Sequence, residues 1–196
     1  MIKIAPRKIK GNWDDGYALD FHTVTSDYVG DDEYGHPQYA TTRTDMGELL
    51  YRLKYKRDTS VIDPIVTTAG NFVRAKPWQI DLLIPVPASR PRTFQPVVGL
   101  AKRLAEDLKV AFCGGCVAKV RDIPELKNIF DFAERTKLLN GAFQVDHAKV
   151  EGKHVLLFDD LYRSGATLNA VSSELRKSGK AASICALALT MTRRYR

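Results

Sequence analysis

Apolar and polar positions change rhythm twice along this chain. From Trp13 to Thr25 aromatic and β-favouring residues dominate, which predicts one or two strands. The next stretch, SDYVGDDEYGHPQYATT (26–42), is polar and rich in turn residues and is expected to form a loop. The segment TRTDMGELLYRLKYKRD then spaces Met46, Leu49, Leu50 and Leu53 on one helical face. A second helix is predicted from Asp63-Pro64, an N-cap acid followed by proline at the first helical position, with Ile65, Ala69, Phe72 and Val73 on its apolar face.

From Asp81 onward short apolar runs alternate with helical patterns. DLLIPVP reads as a buried strand closed by prolines, and FQPVVGLAKRLAEDLK as a helix turning Val97, Leu100, Ala101, Leu104 and Leu108 inward. CVAKV is a weaker strand, followed by a polar stretch, RDIPELKNIFDFAERTKLLNG, with a short helix near its end. HVLLFDD is the next strand and LNAVSSELRKSG the next helix, with Arg176 and Lys177 in its last turn and Gly179 as the stop. ASICALALTMT is the last strand. Continuous apolar strands separated by helices predict an α/β fold whose parallel sheet is covered on both faces. A single domain, 1–196, is expected, with residues 1–74 as a hood on a core spanning 75–196.

At 196 residues and 44% hydrophobic content, the chain is long enough for one sizeable core. No run approaches the roughly 18 apolar residues of a membrane span, and the basic N-terminus MIKIAPRKIKGNW lacks an apolar signal region. A cytoplasmic protein without membrane association is the expectation. Three cysteines are too few for a disulfide framework and suit a reducing compartment. A net charge of +7 favours anionic partners, either nucleic acid or a small molecule carrying phosphates.

The richest chemistry lies in HVLLFDDLYRSGAT, 154–167, where an apolar strand meets Asp159 and Asp160, a loop with Ser164, Gly165 and Thr167, and a helix start. Ligands of open parallel sheets bind beyond the carboxyl ends of strands. There, carboxylates accept hydrogen bonds from a sugar diol or reach magnesium through water, and helix N-terminal amides favour a phosphate. A Walker-B strand would need a GxxxxGK[ST] loop elsewhere, and a dinucleotide fold would need GxGxxG; the sequence has neither.

FDDLYRSGAT resembles the phosphoribosyl pyrophosphate (PRPP) signature of type I phosphoribosyltransferases. The resemblance implies that Asp159 and Asp160 hold the ribose hydroxyls. It gives the 5′-phosphate to Arg163, Ser164, Gly165, Ala166 and Thr167. Tyr162 and Arg163 depart from the aliphatic and small residues usual there. LIPVPASRPR resembles the family's pyrophosphate loop, which implicates Ala88, Ser89, Arg90 and Arg92. The polar segment from Arg121 to Arg135 falls where the family carries a mobile lid, with Lys127 and Asn128 as its candidate catalytic donors. The LLYRLKYKRD, PVPASRPR and ELKN…ER…L…GAF stretches are similar to the ComF-type subgroup, associated with competence and DNA uptake, and the likeness runs from Gly47 to the C-terminus.

The resemblance implies a type I phosphoribosyltransferase-like fold with a mostly parallel five-stranded sheet and an N-terminal hood. The implied reaction is magnesium-dependent phosphoribosyl transfer to a base or amine, with release of pyrophosphate. Mg²⁺ would be held mainly by PRPP oxygens, so no residue is assigned as a direct metal ligand, and the acceptor would sit under the hood near Trp13–Phe21. A non-catalytic role in DNA uptake, nucleic-acid binding or PRPP sensing is the alternative, and a homo-oligomer is compatible with either. Many ComF-type proteins carry a zinc module with paired CxxC motifs. This chain has only Cys113-Gly-Gly-Cys116 and four scattered histidines, so a small-residue turn is the expected use of that pair. Asp31-Asp32-Glu33 is read as a solvated turn, and Arg43, Arg52, Lys54, Lys56 and Arg57 as a solvated or DNA-facing basic helix face.

Overall fold

The protein is described here by a computed structural model, which covers residues 2–88, 95–121 and 132–193. The chain runs β1 (Arg7–Lys8), β2 (Asp15–Phe21), β3 (Thr23–Asp31), β4 (Pro37–Arg43), α1 (Asp45–Lys56), α2 (Ile62–Arg74), β5 (Leu82–Pro85), α3 (Pro96–Leu108) and β6 (Ala111–Phe112). It continues through β7 (Val117–Lys119), α4 (Phe132–Leu139), β8 (Phe143–Val145), α5 (His147–Val150), β9 (His154–Tyr162), α6 (Ala166–Lys177) and β10 (Ser183–Met191). The central sheet has the order β1-β2-β10-β9-β5-β6, and only the β1–β2 pair is antiparallel.

The apolar runs explain the centre of this sheet. In β10 every residue from Ile184 to Thr190 is buried, as expected of a strand with a neighbour on each edge and cover on each face. Side chains in β9 alternate: Leu156 and Phe158 pack with α1, α2 and α3, whereas Val155 and Leu157 pack with α6 and its surroundings. Two cores therefore sandwich one sheet.

Five parallel-type strands were expected, and the central sheet has six because β1 adds an antiparallel edge. Residues 1–74 do not sit apart from the core: β2 is an inner strand paired in parallel with β10, and Met46, Leu50, Ile65 and Val73 of α1 and α2 fill the same core as Leu83 and Phe158. The stretch 26–42, expected as a loop, is most of an antiparallel hairpin, β3–β4. Its side chains are exposed along nearly its whole length, so composition carries no sign of a buried face. The CVAKV strand pairs with β8 in a separate two-stranded sheet.

Helix α2 begins one residue before Asp63, out of a single 3₁₀ turn (Thr59–Val61) capped by Asp58, so the acid that starts this helical region lies upstream of the expected one. Beyond α6 the left-handed residue is Lys180 (φ 50°), not Gly179. Cys113 and Cys116 form a disulfide rather than an unbridged turn. The tight Gly-Gly turn between β6 and β7 brings their Cα atoms to 5.5 Å, within bridging range.

Candidate functional site

Connections on the two sides of the sheet run in opposite directions. From β5 the chain crosses through α3 on one face to β6, and from β9 it crosses through α6 on the other face to β10. Strands β5 and β9 are neighbours, so their carboxyl ends flank a topological switch point, the usual place for a ligand crevice. The β5 ladder ends at Pro85 opposite Phe158, while β9 stays paired with β10 as far as Tyr162. Prolines 85 and 87 lack the N–H needed to extend that ladder. From Asp159 onward, the edge of β9 that faced β5 has no ladder partner among the described residues.

Asp159 and Asp160 lie within β9, which runs past the expected HVLLFDD strand to Tyr162. Strand alternation sends adjacent side chains to opposite faces. Asp160 points to the α1 side, where its carboxylate forms an ion pair with the Lys54 ammonium; both side chains are largely buried. Asp159 falls on the α6 side, half-buried, and accepts a hydrogen bond from the Asp160 amide at 2.8 Å. Desolvation pushes the Asp159 carboxyl up to about 8, and the charge of Asp160 adds to the rise.

Around Asp160 the network continues. Thr190 Oγ1 donates to the Asp160 carbonyl at 3.1 Å and lies 3.2 Å from His22 Nδ1. The hydroxyl has one proton, already committed to that carbonyl, so His22 Nδ1 is the donor to Thr190. Burial, with Lys54 and Arg43 nearby, holds the His22 imidazole below its ordinary pKa, so it is a neutral ring at pH 7.

On the α6 side, the 163–167 loop has the expected form. Gly165 is left-handed (φ 78°) and a Cβ there would lie 2.7 Å from the Tyr162 hydroxyl, so close approach and backbone conformation both call for glycine. Ala166 opens α6, and its N-cap is Gly165, which has no side chain to cap the helix. Ser164 Oγ sits 3.4 Å from the Ala166 amide and accepts from Arg135 Nη1 at 2.9 Å. Arg135 is buried, and desolvation together with the Arg163 charge lowers its pKa. Tyr162 packs edge-on against Trp13, with centroids 6.5 Å apart, whereas Arg163 is exposed. The two unusual motif residues thus divide: Tyr162 is part of the core and Arg163 faces solvent.

Among the expected pyrophosphate-loop residues, Ala88 is exposed just past β5; Ser89, Arg90 and Arg92 lie outside the described residues. Lys127 and Asn128 also lie outside them. The basic α1 face does not present a row of cations. Lys54 is turned onto Asp160, Arg52 Nε donates to Asp58 at 3.0 Å, and Arg43 lies 3.8 Å over the Tyr51 ring and 3.6 Å from Glu48. Asp32 accepts from the Tyr34 and His36 amides, each at 2.9 Å, and so organises the hairpin turn.

Sequence reading missed Lys54 and Arg135 as site residues. Lys54 was assigned to a surface face, and Arg135 served only to bound the lid segment. Period-two alternation was the available signal for Lys54: adjacent acids on one strand start on opposite faces, and the inward one needs a cation.

No protein-family profile matches the chain. It is 27% identical over 150 residues to the competence protein ComFC of Bacillus subtilis (strain 168), covering 74% of this chain and 59% of that protein. The chain therefore spans about three fifths of the length of that relative. Adenine phosphoribosyltransferase from Trypanosoma brucei, solved with AMP, pyrophosphate and ribose-5-phosphate, superposes with a TM-score of 0.50 at 11% identity, covering 94% of this chain and 73% of that one. The chain has a type I phosphoribosyltransferase fold and is similar in sequence to ComFC. The enzyme from Leishmania tarentolae gives a TM-score of 0.48 at 10% identity, covering 95% of this chain and 79% of its own. Among the described residues, no helix is long and apolar enough to cross a membrane.

Proposed function

We propose that this chain binds PRPP at the β5–β9 switch point and transfers its phosphoribosyl group to a base or amine. The observation that carries the reading is the order of groups on one edge: Asp159 at the carboxyl end of β9, the Ser164–Gly165 turn, and the amides opening α6. A ribose diol meets Asp159, and the 5′-phosphate meets the loop and the first amides of α6, where the helix dipole favours an anion. Arg135 holds Ser164 in place and adds buried positive charge behind the phosphate. The second acid joins the diol only when Lys54 releases it, so Asp159 has the larger role in the resting site.

Magnesium fits this arrangement as a passenger of the ligand. Among the described residues no group of three or more His, Cys, Asp or Glu side chains forms a cage, and a hard cation held mainly by pyrophosphate oxygens and waters needs none. When bound it would neutralise the leaving pyrophosphate, with Asp159 as the nearest protein carboxylate on the crevice side. The chain's own contribution is positioning and electrostatics, without a covalent intermediate.

Calorimetry with PRPP and Mg²⁺ tests the binding step, with affinity expected in the micromolar to millimolar range. No heat of binding in the presence of magnesium overturns it. Release of pyrophosphate from PRPP across a panel of bases and amines tests transfer. The Lys54–Asp160 pair favours a second reading, a PRPP-binding protein without turnover, because it keeps one acid occupied. PRPP binding with no pyrophosphate release for any acceptor would select that reading.

A further inference from the structure

We infer that the β3–β4 hairpin is a docking arm for a second copy of this chain, seated on the basic body of its partner. Five of the seven large hydrophobic side chains exposed among the described residues lie on it: Val24, Tyr28, Val29, Tyr34 and Tyr39. Tyr28 and Tyr39 are register partners with ring centroids 5.9 Å apart, at 59% and 55% exposure. Ser26 and Thr41, also paired, share that face and are bridged at 3.0 Å. The face is thus aromatic, with polar groups that already satisfy one another.

Two physical arguments say that this arm is made to be covered. A two-stranded hairpin without a covered face is marginally stable in water, and among the described residues this one pairs with no further strand. Aromatic rings on a strand stabilise binding strongly when desolvated.

Charge selects the occupant. Residues 23–42 carry four acids (Asp27, Asp31, Asp32 and Glu33) and no lysine or arginine. The rest of the chain holds 30 basic and 19 acidic side chains, a net charge of +11. An acidic, aromatic arm repels a phosphate backbone and a second acidic arm, but complements the basic body of another copy. Two copies exchanging arms reciprocally make a closed two-fold contact.

Sedimentation velocity from about 1 to about 100 μM reads the result directly. A dimer is expected that weakens as salt is raised, because the contact joins opposite charges. Tyr28→Ser combined with Tyr39→Ser should weaken it by about tenfold or more. Asp27→Asn with Glu33→Gln should weaken it less and flatten its salt dependence. Circular dichroism and melting of each variant exclude loss of fold as the cause. A wild-type monomer at about 100 μM in low salt overturns the inference. So does a dimer unaffected by the tyrosine changes, or one that tightens with salt, which would mean arm-to-arm contact. A wild-type monomer that forms a stable complex with another protein through the hairpin would likewise replace the second copy as occupant. PRPP binding is unaffected in every outcome, since the arm does not include the switch-point loop.

Discussion

Asp159 and Asp160 are neighbours in sequence and live in different surroundings. Asp160 lies on the α1 face, its charge matched by Lys54 and its carbonyl taken by Thr190. Asp159 lies on the α6 face, accepts from the Asp160 amide, and is pushed toward the neutral acid. One strand alternation produces both states. This paired-acid motif therefore places its two carboxyls on opposite faces of one sheet, one held by an ion pair and one raised toward the neutral acid. The two acids also feel each other's charge, so each face is tested by its own variant and its own readout.

The largest expected effect is on pH dependence, and it isolates Asp159. In the unfolded chain this carboxyl loses its proton near its ordinary 3.8, and in the folded chain near 8. The folded state thus keeps a proton that the unfolded state gives up between those values. Stability from this group is complete below about pH 4 and is lost as pH rises through about 8. Wild-type melting temperature should fall between about pH 5 and about pH 9, and the Asp159→Asn protein should show a flatter profile over that range. Parallel profiles for the two proteins would mean that Asp159 is already ionised in the fold and that the two acids do not differ.

Lys54 tests the opposite face. Its removal as Lys54→Met leaves the Asp160 carboxylate buried without its cation, a change that costs about 3–5 kcal/mol for a pair this enclosed. Adding Asp160→Asn should recover much of that loss, because the uncompensated charge goes with it. Urea unfolding of the three proteins checks the cycle. A Lys54→Met protein within about 1 kcal/mol of wild type would show that the ion pair is replaceable by solvent, as surface pairs are.

Ligand affinity sharpens the contrast further. Under the proposed PRPP binding, measured above about pH 8 where Asp159 is ionised, Asp159→Asn removes charge-assisted acceptance of the diol hydroxyls, about 1.5–3 kcal/mol or roughly 10–150-fold in affinity. Asp160→Asn should cost less than that, since its carboxylate is already engaged. Calorimetry on both variants decides it. Equal losses would mean that Lys54 lets go when PRPP arrives and that both acids meet the ribose.

Much of this was legible before any coordinates. The continuous apolar runs at Leu82–Pro85, His154–Phe158 and Ser183–Met191 are central strands because buried parallel strands need apolar side chains on both faces. The motif string also located the loop and helix start that flank the crevice. Three things were hidden, each for a physical reason. The β3–β4 hairpin is exposed on both faces, so its composition reads as loop. The β2 strand lies far from its partner β10 in sequence, and only the register Tyr17↔Leu187 reveals it as part of the core. The Lys54 pairing joins residues 106 positions apart, so alternation signals that Asp160 needs a cation without saying which residue supplies it.

The smallest expected effect concerns Gly165, where the α6 face meets the loop. Alanine there must adopt φ near 78° and place its Cβ 2.7 Å from the Tyr162 hydroxyl. Gly152 offers a matched control: its φ is 69°, and an added Cβ meets nothing within 4 Å. Backbone strain should cost each alanine variant about 1–2 kcal/mol. The Gly165 variant should lose about 1 kcal/mol more, because Tyr162 is buried against Trp13 and has little room to yield. Chemical denaturation of the two variants gives the difference directly. Equal losses would mean that Tyr162 moves aside at no cost, leaving the loop shaped by backbone conformation alone. A larger loss at Gly165 means that the tyrosine in the motif is a wall against which the phosphate turn is set, a role that needs the α6 face and owes nothing to Lys54.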